Sequence, residues 1–210
     1  MKDIFSKARI QKIWQTIKPW AITLVILAVL RYTGLLSGLS VLAGTALFET
    51  GVMNIQPERN TAASKDFDYN FSIRDLDDNA IDMNELKGKV IFLNMWATWC
   101  GPCRVEMPSI QELYDSVGKS NEVVFVMLSI DRPETQNKIG KYISDKQFTF
   151  PVYQPASELP KQLHVPTIPT TFIIDKWGQV RMKKVGTANY ATEKFVTFLR
   201  DLGKEDQTAK

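Results

Sequence analysis

The strongest constraint on this chain is a pair of cysteines with two residues between them, placed directly behind an apolar run. Val90-Ile91-Phe92-Leu93 leads into Asn94-Met95-Trp96-Ala97-Thr98-Trp99-Cys100-Gly101-Pro102-Cys103, and a helical pattern starts near Arg104. The chain has 2 cysteines, so this pair is the whole thiol inventory. A buried strand that delivers a dithiol to a helix N-terminus is a redox arrangement. Unpaired N–H groups and the helix dipole favour negative charge at that end, so Cys100 should ionise more readily than a free thiol. Thiolate is the attacking form in disulfide exchange, and Cys103, one turn further in, is close enough to resolve a mixed disulfide. Pro102 lacks an N–H to donate and fits a first helical turn, which helps to hold the sulfurs in place. Two plainer readings exist, a structural disulfide and half of a zinc site. Zinc would need further ligands, and beyond carboxylates the sequence offers only His164, so no metal site is expected.

The residues around the dithiol read as one α/β domain over 66–204, with a short tail at 205–210. Phe67, Tyr69, Phe71 and Ile73 alternate with polar residues, which predicts a half-buried strand. Asp77-Asp78-Asn79 is a turn, and Ala80–Met83 returns as a second short strand. The central strand is Val90–Met95. After the dithiol, Glu106, Ile110, Leu113, Tyr114 and Val117 mark one face of a helix ending at Gly118, with a kink expected at Pro108. Val123–Ile130 is continuously apolar, the pattern of a strand covered on both faces. A helix follows Asp131-Arg132-Pro133-Glu134, with Ile139, Tyr142 and Ile143 turned inward. Phe148–Tyr153 is expected to be extended and Leu159–Leu163 a short helix. Thr171–Asp175 and Val180–Val185 form a hairpin around Lys176-Trp177-Gly178-Gln179. Tyr190–Leu202 closes the domain as a helix that buries Phe195, Phe198, Leu199 and Leu202.

Charge separates this domain from what precedes it. The net charge is +3, but residues 1–65 hold 8 Lys/Arg against 3 Asp/Glu, while residues 66–210 hold 18 against 20. The basic surplus therefore belongs to the N-terminal segment, which argues against a nucleic-acid partner. Lys2, Lys7, Arg9, Lys12 and Lys18 precede an apolar stretch from Trp20 to Leu30, too short alone for the ~20 residues a bilayer span needs. Three readings fit residues 1–50. A helix from Trp14 or Pro19 to near Leu39 can span the membrane with Arg31 snorkelling at its outer end. Leu35, Leu39, Leu42 and Ala46 can instead line a separate helix on the membrane surface. A cleaved signal peptide is the third, although no convincing small-residue cleavage site follows Leu30. The retained anchor is preferred, a single pass with the N-terminus inside and the domain outside. Residues 51–65 are polar and read as a linker.

Trp96-Ala97-Thr98-Trp99-Cys100-Gly101-Pro102-Cys103-Arg104, followed by Glu106-Met107-Pro108, resembles the active site of the thioredoxin superfamily. More narrowly it is similar to TlpA-like membrane-anchored thiol–disulfide oxidoreductases of bacteria. The likeness runs from about Phe67 to Leu202. It implies a thioredoxin-like fold with an added N-terminal strand pair, and a bacterial envelope enzyme that exchanges protein thiols and disulfides. Such enzymes are most often reductants, for example in cytochrome c maturation or envelope redox homeostasis. They have no cofactor beyond the Cys100–Cys103 disulfide, and their partners are cysteine-bearing proteins and a membrane electron donor. The resemblance makes Ile168-Pro169-Thr170 the loop whose cis-proline faces the dithiol and docks an extended substrate. Trp99, Gly101 and Pro102 would border the same surface, and Trp96 would pack beneath it. It also implies that Glu106 assists the thiols. At the central-strand position where ordinary thioredoxins carry a buried Asp, this chain has Asn94, whose amide cannot exchange a proton as a carboxylate does.

Two other classes use this fold. A thiol peroxidase would place its cysteine in a Pro-x-x-x-Thr/Ser-x-x-Cys setting, but Thr98 is only two residues before Cys100 and no upstream proline accompanies it. A copper carrier would need a distant histidine and wider cysteine spacing, whereas His164 lies beside the proline loop. Packing is the expected role of His164.

Overall fold

The computed structural model describes residues 15–16, 18–26, 29, 53–55, 66–118 and 123–205. The chain divides into two compact units, Met1–Ala43 and Gly44–Lys210. In the first, residues 18–26 are helical. Thr23 Oγ1 donates to the Pro19 carbonyl at 2.8 Å, and Trp20, Ile22, Leu24, Val25 and Ile26 are all exposed. No helix among the described residues is long and apolar enough to cross a membrane. The second helix expected through Leu35, Leu39, Leu42 and Ala46 lies outside the described residues, as do Arg31, residues 56–65 and the tail beyond Glu205.

The second unit is built on a seven-stranded sheet. Its strands are β1 (Ser72–Asp75), β2 (Ala80–Asp82), β3 (Val90–Trp96), β4 (Val123–Ser129), β5 (Val152–Pro155), β6 (Thr170–Ile174) and β7 (Val180–Val185), in the spatial order β2-β1-β5-β4-β3-β6-β7. β3 pairs in parallel with β4 and antiparallel with β6. The three α-helices are α1 (Gly101–Leu113), α2 (Gln136–Asp145) and α3 (Glu193–Lys204). Because strand side chains alternate between faces, the apolar runs of β3 and β4 feed two cores at once. Val90, Phe92 and Trp96 join residues of α1, α2 and α3, including Met107, Ile139 and Phe195. Ile91, Leu93 and Met95 face the other way, onto Phe67, Tyr69, Phe71, Met83 and Leu163.

The departures from expectation are local and have visible causes. Phe67, Tyr69 and Phe71 are buried as their alternation predicts, yet the paired strand begins only at Ser72. Asp68 Oδ1 accepts from the backbone and side-chain nitrogens of Asn70, and Phe71 N–H donates to the Tyr69 carbonyl at 2.8 Å. These local bonds turn the backbone away from a ladder. The helix after the dithiol starts at Gly101 rather than near Arg104, and it passes at Tyr114 into a π-type turn that ends at Gly118. The Tyr114 ring lies where a side chain on residue 118 would stand, so glycine is required there. Extended structure expected at Phe148–Tyr153 is shifted to Val152–Pro155, and the short helix at Leu159–Leu163 is one 3-10 turn, Lys161–Leu163. α3 begins at Glu193, not Tyr190, because Thr192 caps it by accepting from Phe195 N–H at 3.3 Å. Within the stretch expected to be linker, Ile55 is buried in the helix-side core.

Candidate active site

α1 begins where β3 has just emerged from the core, and this junction fixes the dithiol. Cys100 is the N-cap of α1, with Pro102 in the first turn, and it is joined to Cys103 in a disulfide with Cα atoms 5.3 Å apart. Cys103 N–H donates to Cys100 Sγ at 3.2 Å, so a helix-terminal donor points at the sulfur that would carry charge in the reduced form. The two sulfurs are not equivalent. Cys100 lines an open groove of about 490 Å³, while Cys103 has no exposed surface.

The groove runs between the start of α1 and the loop before β6. Trp99, Gly101 and Pro102 line it at the start of α1, Val165, Pro166, Thr167 and Ile168 from the loop before β6, and Ile130 from just after β4. Trp99 is 69% exposed, whereas Trp96 is fully buried, as the two tryptophans were expected to divide. The Ile168–Pro169 peptide bond is cis, as the resemblance implied, and Cys100 Sγ lies 3.9 Å from the Ile168 carbonyl oxygen. His164 is exposed, with Nε2 3.0 Å from the Leu159 carbonyl.

A carboxylate clamp that the sequence reading missed holds the β3–α1 loop. Asp131, buried just after β4, accepts from Thr98 N–H at 2.7 Å and Ser129 Oγ at 2.8 Å through Oδ2, and from Thr98 Oγ1 at 2.7 Å through Oδ1. The loop that presents Trp99 and Cys100 is thereby tied to the neighbouring strand. The available clue was a lone Asp ending an apolar strand, a pattern equally common in ordinary turns.

Behind the disulfide lies a closed polar network. Asn94 has the parity of Phe92 and Trp96 and so faces the helices, opposite Thr171 in the β3/β6 register. Its Nδ2 donates to Glu106 Oε1 at 2.8 Å and to Thr171 Oγ1 at 2.9 Å. Glu106 Oε2 accepts from Ala188 N–H at 3.2 Å, and Thr171 Oγ1 accepts from Tyr190 Oη at 2.6 Å. Glu106, Asn94 and Tyr190 have no exposed surface. Burial dominates the Glu106 carboxyl and pushes it up to about 8 despite the donors from Asn94 and Ala188 and the charge of Lys184. Burial, and then the Glu106 charge, likewise hold Tyr190 well above its ordinary value. The acid form of Glu106 needs an acceptor. Asn94 Oδ1 has no hydrogen-bond partner, and a turn of that amide presents it to Glu106. A carboxyl poised near neutrality, one turn beyond a buried cysteine, can take and return a proton at working pH.

Residues 64–183 match the model of the AhpC/TSA family. The chain belongs to that family. Its relatives include a thiol-disulfide oxidoreductase ResA of Bacillus cereus, 36% identical over 118 residues; the match covers 56% of this chain and 66% of that protein, just under two thirds of its length. The crystal structure of StoA from Bacillus subtilis superposes with a TM-score of 0.50 at 27% identity, covering 63% of this chain and 94% of StoA. A thiol:disulfide interchange protein of the thioredoxin family from Chlorobium tepidum TLS has the same fold, with a TM-score of 0.52 at 24% identity over 66% of this chain and 98% of that one. The fold is thioredoxin-like.

Proposed function

We propose that this chain is an extracytoplasmic thiol–disulfide oxidoreductase that acts on protein cysteines. The observation that carries this reading is the asymmetry of the disulfide: Cys100 stands at the edge of an apolar groove, and Cys103 is sealed behind it. In the reduced form, Cys100 thiolate attacks one sulfur of a substrate disulfide. That S–S bond breaks, a mixed disulfide forms, and the other substrate sulfur leaves as a thiolate that takes a proton. Cys103 passes its proton to Glu106 and attacks Cys100 Sγ. The second substrate thiolate departs, and two electrons have moved from the dithiol to the substrate. Trp99, Gly101, Pro102 and Ile168 receive the substrate as an extended segment along the groove; Pro169, expected beside them, is buried and does not line it. Named relatives that are thiol-disulfide oxidoreductases support the reaction class. Within the AhpC/TSA family a thiol peroxidase is the other class, but Leu93 and Ala97 stand where its proline and hydroxyl residue would be.

The N-terminal segment is read as a membrane anchor, with the domain on the outer side. Its support is the basic surplus of residues 1–65 and the exposed apolar residues of the described helix, Trp20 and Leu24 above all. An outward dithiol lacks a cytoplasmic thiol pool, so a membrane electron donor would restore it, and reduction of envelope proteins is the direction proposed. Trapping tests the assignment of the sulfurs. Cys103→Ser should accumulate mixed disulfides through Cys100, and Cys100→Ser should trap few. Trapping that requires Cys103 would reverse the roles, and trapping by neither variant would remove the exchange reading.

A further inference from the structure

The segment Thr187–Tyr190 meets the active-site helix and the network behind the disulfide through three of its four residues. Thr187 Oγ1 donates to the Pro102 carbonyl at 3.3 Å. Ala188 N–H holds Glu106 Oε2, and Tyr190 reaches Asn94 through Thr171. Tyr190 N–H donates to Ser109 Oγ at 3.2 Å, which in turn donates to the Glu106 carbonyl at 2.7 Å. Asn189 lies between two buried inward residues and engages a different partner. Its N–H donates to the Met53 carbonyl at 2.8 Å, its carbonyl accepts from Ile55 N–H at 3.2 Å, and its Nδ2 donates to Asn54 Oδ1 at 3.0 Å. From Ala188 to Tyr190 the backbone groups alternate as in an extended chain, those of 188 and 190 toward the redox site and those of 189 toward residues 53–55. Asn54 and Asn189 form a single parallel bridge, and Ile55, 4% exposed, anchors this segment in the same core as Cys103 and Tyr190.

We propose that Met53–Ile55 is a strap that positions Glu106, acting through Thr187–Tyr190 and keeping the carboxyl sealed from water. The strap lies between the N-terminal segment and the domain in sequence. The titratable groups facing Glu106 are Tyr190 on the strapped segment, Lys184 on β7 and the cysteines of its own helix; β3 and β6 contribute the uncharged Asn94 and Thr171. None of these belongs to the strap, so a strap variant leaves the local charges in place. Asn54 and Ile55 are positioning residues. The consequence for exchange rests on the role given to Glu106 above, whereas the positioning does not.

The test reads Glu106 directly. Full-length protein carrying carbon-13 at glutamate carboxyls is held in the disulfide form, where no thiol titrates, and the Glu106 resonance (assigned by its loss in Glu106→Gln) is followed against pH. Ile55→Asn should undock the strap, admit water and lower the Glu106 midpoint by about one pH unit or more, since burial is its largest perturbation. Ile55→Val should keep the wild-type midpoint. Should Ile55→Asn fail to fold, Ile55→Ala removes part of the anchor and should move the midpoint the same way by less. A midpoint that stays at the wild-type value in the folded variants overturns the strap. Separately, Glu106→Gln with an unchanged pH profile of Cys100 alkylation would remove Glu106 from the exchange chemistry, and the carboxyl titration would still decide the strap.

Discussion

Glu106 has no route to water and two donors turned toward it, and the contest between these sets its behaviour. Desolvation wins, so the folded protein binds this proton more tightly than the unfolded chain does. The sign follows from linkage. Below the ordinary carboxyl range both states are protonated and Glu106 costs nothing. As pH rises from there to about 8, the unfolded chain gives up the proton first, so stability falls, and above about 8 the loss is complete. The full span is worth on the order of 5 kcal/mol. Glu106→Gln removes the titration, and its amide can satisfy both neighbours once Asn94 turns over. The variant should therefore be nearly as stable as wild type at pH 5 and more stable than it at pH 9. Urea denaturation of the two proteins at both pH values checks this, and parallel pH profiles would refute it. As a surface residue, Glu106 could be exchanged for Gln at little cost to folding; its complete burial makes that substitution a pH-dependent one.

Among the elements, the loop from β3 into α1 depends most on a partner distant in sequence. Thr98 and Asp131 are 33 positions apart, yet two bonds of 2.7 Å join them. Asp131→Ala leaves the Thr98 N–H and hydroxyl without acceptors in a half-buried setting, an expected loss of about 2 kcal/mol. Asp131→Asn keeps one acceptor and should recover part of it. Denaturant midpoints at unchanged slope would establish the order wild type, Asp131→Asn, Asp131→Ala. Equal midpoints for all three would mean that the loop holds itself. Elements whose information is local were legible in advance. The alternation at Val180–Val185 and the spacing of Phe195, Phe198, Leu199 and Leu202 predicted β7 and the buried face of α3, and both are found there. Boundaries set by side-chain bonds were not legible. Residues 67–71 keep the strand's alternation, but Asp68 and Asn70 turn the backbone out of the ladder.

At the scale of the whole molecule, the prediction concerns the N-terminal segment. A retained anchor should keep the protein in membranes through alkaline extraction, and a reporter fused after Lys65 should work only when it senses the outer side. Release into the alkaline supernatant would favour a cleaved signal, and activity of a cytoplasm-only reporter would reverse the topology. The basic residues before Trp20 set the expected direction, because positive charge is retained on the inner side.

What the sequence determined alone is whatever short spacing encodes. Two cysteines with two residues between them behind an apolar run, Pro102 among those two, Glu106 one turn on and Ile168 ahead of a strand placed the dithiol at a helix start; with Trp99 and Gly101 they supplied the groove walls other than Ile130, Val165, Pro166 and Thr167. The thioredoxin-like order of strands and helices was readable for the same reason, since period two and period 3.6 are local properties of a chain. The network around Glu106 was not readable. β3 is apolar on both faces, so nothing local says toward which face Asn94 points; pairing Asn94 with Thr171 and packing α1 against that face decide it. Ala188, Tyr190 and Ile55 carry no chemical motif of their own. Their part in the site comes from backbone groups, burial and the Tyr190 hydroxyl's reach to Thr171, which exist only once segments more than 80 residues from Glu106, or in the approach to the domain, have been brought together.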